Sequence, residues 1–134
     1  MTLIQRIAIG YFVVLMIAAS LNYIPGLTDA DGLAFGIFAL DIFDDLLHVA
    51  SALWALVAAL ISTRAARLFL IYFGVLYLAD GAMGLVTGSG YLDLGIINYG
   101  WQDLPFGFKI LANLPHLGLG GIAFLCGLFI KQEV

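Results

Sequence analysis

The sequence predicts an all-α membrane protein with four transmembrane helices, and three observations carry that prediction. Only 14 of the 134 residues are charged, and 63% are hydrophobic; the mean hydropathy is +1.10. Four apolar runs of 18–21 residues recur along the chain, and about 20 such residues cross a bilayer core. Four of the five basic residues, Arg6, Arg64, Arg67 and Lys131, fall at one end of those runs.

The first run, Leu3–Leu21, has the outline of a secretory signal: Arg6, an apolar stretch, then the small residues Ala18, Ala19 and Ser20. We read it as an uncleaved first span. The second runs from Asp45 to Ser62, the third from Arg67 to Thr87 and the fourth from Asn113 to Ile130. At 1.5 Å per residue each is ~27–32 Å long, which fits the hydrocarbon. Thr63–Ala66 is expected to be a short turn. Only Lys109 is basic on the far side, so the positive-inside bias places both termini in the cytoplasm of a multi-pass cell-membrane protein.

The outer segments, Asn22–Asp44 and Gly88–Ala112, carry Asp29, Asp31, Asp41, Asp44, Asp93 and Asp103 among many large apolar residues, such as Phe35, Phe38, Ile97 and Trp101. Segments this apolar are expected to fold over the outer end of the bundle at headgroup level, with short interfacial helices.

The composition excludes several classes. No basic patch offers a footprint for nucleic acid. A single cysteine, Cys126, forms neither an internal disulfide nor a Cys-x-x-Cys redox pair. No serine–histidine–acid set, phosphate loop or nucleotide fingerprint is present, and no Asn-x-Ser/Thr acceptor. Residues 1–134 read as one domain.

The halves, about 1–62 and 63–134, read as a tandem duplication of a two-helix unit. Arg6, Tyr11, Phe12, Val14 and Leu15 match Arg67, Tyr72, Phe73, Val75 and Leu76 at an offset of 61. Asp45-Leu-Leu-His48 matches Asn113-Leu-Pro-His116 at an offset of 68, followed by Ala52, Ala55 and Ala59 against Gly120, Ala123 and Gly127. This implies a pseudo-twofold axis along the membrane normal.

That repeated element admits two chemistries. In the first, Asp45 and Asn113 are N-caps, Pro115 sits in the first turn and His48 and His116 occupy the third helical position. In the second, each histidine shares a face with a small-residue stripe, so both rings point into a helix interface. There they would ligate a haem, pigment or soft metal between the second and fourth spans; two nitrogens satisfy a haem but leave zinc or copper short of ligands. Asp80, beside Gly81 and Gly84, is the only carboxylate well inside a span and is a functional residue by default. Spans starting at Asp45 and Asn113 would leave it deeper than the histidines, so a water bridge or a bond to Ser20, Ser51 or Tyr77 competes with direct pairing. Gly84-x3-Gly88 reads as a close-packing motif, and Trp54 as packing.

The segments Asp45-Leu-Leu-His48 with Ala52 and Asn113-Leu-Pro-His116-Leu-Gly-Leu-Gly120 resemble a repeated Asn-Leu-x-His…Gly signature. It belongs to a bacterial family of small four-helix membrane proteins catalogued as a domain of unknown function. The first half departs from it, with Asp45 for Asn and Ala52 for Gly. The resemblance implies the topology and supplies no reaction.

The expected function is that of a non-catalytic integral membrane protein, an accessory, assembly or scaffold subunit whose partners are the lipid bilayer and other membrane subunits. The alternative is a haem- or pigment-binding redox subunit using His48 and His116. A third is a small proton-coupled transporter using Asp80.

Overall fold

A computed structural model describes residues 1–30, 33–38 and 41–131; Asp31, named above among the outer acidic residues, lies outside them. The chain folds as a four-helix membrane bundle. Its helices are α1 (Leu3–Ser20), α2 (Ile42–Ile61), α3 (Thr63–Thr87), the single turn α4 (Gly95–Asn98) and α5 (Phe106–Phe129). The four long ones are each long and apolar enough to cross a membrane. Among the described residues there is no strand, only single bridges at Thr28–Ala34 and Ala34–Phe38.

The first three helices each start where a side chain satisfies their free amides. Thr2 caps α1 in a box with Gln5, and Asp41 caps α2 in a box with Asp44. Ser62 is extended, ends α2 and caps α3 by accepting from the Ala65 amide at 3.0 Å. The expected Thr63–Ala66 turn is therefore the first turn of α3, and one residue connects the two spans. In lipid every backbone group that joins a helix finds a partner, which favours the shortest connection.

α5 departs furthest from expectation. It begins at Phe106, after Pro105, seven residues before Asn113. Asn113 is thus no cap: its Nδ2 donates to the Lys109 carbonyl four residues back, at 2.8 Å. Pro115 lies inside the helix, where it withholds an N–H from the Leu111 carbonyl. Asp45 is likewise no cap; Asp41, four residues earlier, takes that place.

The helices pack as two pairs, α1 on α2 and α3 on α5, joined through α3. The α3–α5 crossing is made by glycine. A Cβ on Gly120 would lie 2.7 Å from the Leu78 amide nitrogen, and one on Gly74 2.8 Å from the Gly120 carbonyl, so the backbones touch as small residues allow in lipid. Ile4, Ala8, Tyr11, Leu15 and Ala19 form one buried stripe on α1. From α3, Phe69, Phe73 and Tyr77 rise as a column of rings, Phe73 and Tyr77 stacked at 3.9 Å.

The start of α1, the join of α2 to α3 and the end of α5 gather at one end of the bundle. Thr2 and Thr63 hydroxyls lie 2.9 Å apart, and Gln5 donates to the Ala59 carbonyl at 2.8 Å. Arg67 donates to the carbonyls of Gly127 and Ile130 at 2.6 and 2.7 Å, placing a cation on the open carbonyls that end α5.

Candidate functional site

At the opposite end, α2 and α5 stand apart without close packing, and the two outer segments roof the gap. The result is a cavity of about 430 Å³. Leu33, Ile37 and Phe38 of the first segment and Ser89, Gly90, Asp93 and Tyr99 of the second line it from above. His48, Asp44, Pro115, His116 and Leu119 line it from the helices.

His48 of α2 and His116 of α5 both face this cavity, their ring centroids 6.1 Å apart and their planes at 82°. The small-residue stripes below them are buried as expected: Ala52, Ala55 and Ala59 on α2, and Gly120, Ala123 and Gly127 on α5. His116 also rests against Tyr77, centroid to centroid 4.9 Å, at the top of the ring column.

Asp80 and His116 pair directly, Oδ2 to Nδ1. The early start of α5 makes this work. His116 is its eleventh residue rather than its third, ~15 Å from the helix start, which brings it down to the depth of Asp80. Ser51 and Tyr77, the other expected partners of Asp80, bond each other at 2.9 Å instead, and Ser20 donates to the Ile17 carbonyl.

The other oxygen of Asp80 accepts from the backbone amides of Tyr91 and Leu92, both at 2.9 Å. The loop after α3 must therefore pass hard against this carboxylate, and Gly90 permits it. A Cβ there would sit 2.8 Å from Asp80 Cγ and collide with Oδ1. Gly88 at φ +81° ends α3 in the left-handed region and turns the chain back. Two backbone amides donate to Oδ1 of Asp80 and Oδ2 pairs with Nδ1 of His116, which leaves Nε2 as the ring nitrogen of His116 not bonded to Asp80.

His48 has the opposite problem. Its side chain is 6% exposed and its Nδ1 is buried with no hydrogen-bond partner. An unsatisfied buried nitrogen costs ~1–3 kcal/mol and is rare enough in folded proteins to need a reason.

Comparison with known proteins supplies no relative: no protein family, characterised protein or solved structure matches the chain. The reading therefore rests on the geometry.

The structure brings together His48, His116 and Asp80 and sets the other two singled-out residues aside. Asp45 lies under the first segment, accepting from the Tyr23 hydroxyl at 2.8 Å, with its second oxygen buried and unpaired. Asn113 packs into the α3–α5 contact against Gly84. Asp44, whose carboxyl faces that of Asp93 at the cavity wall, was not separated from the other acidic loop residues in the sequence. Nothing in its local pattern marks it beyond the Asp41-x-x-Asp44 box. Among the described residues no three His, Cys, Asp or Glu side chains converge to hold a metal ion.

Outside the spans, three tyrosines tie the cap down. Tyr99 donates to Asp41 at 2.6 Å, and that bond to a carboxylate pushes its hydroxyl up to about 12. Tyr23 is raised by its bond to Asp45, and Tyr91, donating to the Leu76 carbonyl at 3.0 Å, is raised by burial.

Proposed function

We propose that this chain is a non-catalytic integral membrane protein that holds a small ligand in its outer cavity, working as an accessory subunit beside other membrane proteins. One observation carries the reading: a cavity of about 430 Å³ walled by His48 and His116, with the buried Nδ1 of His48 left without a partner beside it. A bound group that donates to or accepts from the imidazoles removes that cost.

The arginine-bearing end, with both termini, is placed in the cytoplasm by the positive-inside bias, so the cavity opens on the opposite face. The α1–α2 and α3–α5 pairs, with Thr2 bonded to Thr63 at the offset of 61, support descent from one duplicated hairpin. The copies have since diverged, since Tyr11 is buried and its counterpart Tyr72 is 57% exposed. Binding is favoured over passage because Tyr77, Phe73 and Phe69, all buried, close the bundle beneath the cavity.

The test is extraction in mild detergent and mass spectrometry of what stays bound. Wild type is expected to retain a small molecule that an Ala112→Trp variant, filling the cavity, loses. Identical extracts from the two would overturn the reading. A second reading, haem or pigment ligation, is favoured by the approach of the two imidazoles across unpacked helices. It requires a visible absorption band that disappears in His48→Ala.

A further inference from the structure

A second hollow lies lower on the same side of the molecule, and its relation to the cavity indicates what kind of molecule the cavity takes. α1 packs on α2, and α5 on α3, so the side between α1 and α5 is a cleft. The hollow there, about 350 Å³, is lined by Ile7, Gly10, Tyr11, Val14, Leu119 and Ile122. Its one polar feature is at its floor, where the Tyr11 hydroxyl donates to the Leu119 carbonyl at 2.6 Å and holds the two helices together. Leu119 also lines the cavity above, so the two hollows adjoin. Gly10 leaves the groove wide, with nothing within 4 Å of where its Cβ would be. A hydrocarbon groove beside a chamber that bears two histidines and two aspartates matches an amphipathic molecule lying across both.

The head group is narrowed by the chamber wall. Asp44 and Asp93 line it, and among the described residues no lysine or arginine does, so phosphate and carboxylate heads are disfavoured. Nε2 of His116, the ring nitrogen not bonded to Asp80, calls for a partner, and a hydroxyl is an uncharged group that can donate to it or accept from it. Phe38, Tyr99 and Phe108 on the walls favour a flat ring over a polyol.

We infer that the cavity and groove together bind a single-chain lipid with an uncharged phenolic or hydroquinone head, its hydroxyl on His116 and its tail along α1 and α5. The inference rests on the ligand-binding reading above and adds the chemical class and the second half of the site. Three probes test it by native mass spectrometry on the full chain in phosphatidylcholine nanodiscs: 4-decylphenol, 4-ethylphenol and decyl phosphate. One molecule of 4-decylphenol is expected to bind per chain, and decyl phosphate at least tenfold more weakly. Gly10→Phe, which fills open space without touching the core, is expected to weaken 4-decylphenol at least tenfold and leave 4-ethylphenol unchanged.

If both phenols bind and Gly10→Phe affects neither, the groove holds no tail, and the cavity reading alone survives. If decyl phosphate binds as well as 4-decylphenol, the head group is wrong. If the chain is a dimer that Gly10→Phe dissociates, the groove belongs to a second copy and the inference falls. If no phenol binds wild type, the inference fails, while the extraction experiment with Ala112→Trp still decides the cavity.

Discussion

The two ends of this bundle are built from the same four helices and solve opposite problems. At the arginine end one extended residue, Ser62, joins α2 to α3, and Ile4, Ala8, Ala66, Phe69 and Leu70 are buried without measurable exposure. At the far end α2 and α5 stand apart, two long segments roof the gap, and the polar residues Asp44, Asp45, His48 and Asp80 are all buried. The closed end is held by packing and backbone contact. The open end is held by hydrogen bonds from loops to buried polar side chains. In lipid, burial of apolar surface against a neighbour helix gains little from the hydrophobic effect, so the first kind of order depends on close fit and the second on satisfied polar groups.

The sharpest way to break the comparison is to spoil the fit where the backbones touch. Gly120→Leu places a side chain against the Leu78 amide nitrogen and the Gly74 carbonyl. No rotamer relieves a clash with main chain, so the cost is expected above the usual ~1–3 kcal/mol of overpacking. Folded protein should not be recovered, as size-exclusion chromatography after extraction would show. A monodisperse, fully helical Gly120→Leu protein would mean that the α3–α5 contact is not what orders the bundle.

At the open end the largest effect is expected at Asp80. Removing its carboxylate in Asp80→Ala strands the His116 imidazole and the amides of Tyr91 and Leu92 together. Breaking a buried pair in this way costs ~3–5 kcal/mol. Asp80→Asn keeps one carbonyl oxygen for the amides and should cost clearly less. Thermal unfolding in detergent ranks the two, and equal losses would show that the amide contacts carry no weight. The double change Asp80→Ala with His116→Ala is expected to cost less than the sum of the singles, since the partners form one unit.

The ends also differ in how far the sequence reveals them. The apolar runs, the small-residue stripes and the facing histidines follow from helical periodicity, which is local. Asp80 stands out because one carboxylate among apolar residues is conspicuous. Its partner was obscured because α5 was counted from Asn113, a length suited to the bilayer core, whereas the helix starts at Phe106. Phe106-Gly-Phe-Lys-Ile-Leu-Ala reads equally as a greasy loop, with Gly107 a breaker and Lys109 a polar marker. Only docking against α3 decides between them. Gly90 and the amides of Tyr91 and Leu92 were beyond sequence reasoning for another reason. A backbone N–H leaves no mark in the chain, and Gly90 has no local signature apart from standing in a loop that is rich in glycine.

A smaller effect probes the join between the two ends. Ser51 and Tyr77 share a hydrogen bond of 2.9 Å at the top of the ring column. Ser51→Ala deletes it with little change of volume, and such interhelical bonds average ~0.6 kcal/mol in membrane proteins. The expected result is a small fall in unfolding temperature with no change in cavity binding. A fall as large as that of Asp80→Ala would place the column among the polar-ordered parts of the molecule rather than the packed ones.

The smallest effect concerns the roof alone and is a matter of pH. The Tyr99 hydroxyl donates to Asp41, and this bond raises it from the ordinary value of 10 to about 12. The folded chain holds that proton more tightly than the unfolded one, so the bond contributes fully below pH 10. Its contribution is lost as pH rises through about 12. Tyr99 is half exposed, so water screens the contact and the stability change should be slight. Phenolate absorbance should show a late-titrating component, and Tyr99→Phe should reduce it by one tyrosine while leaving the helices unchanged. If the late component is undiminished in the variant, the Tyr99–Asp41 contact does not tie the second segment to the start of α2.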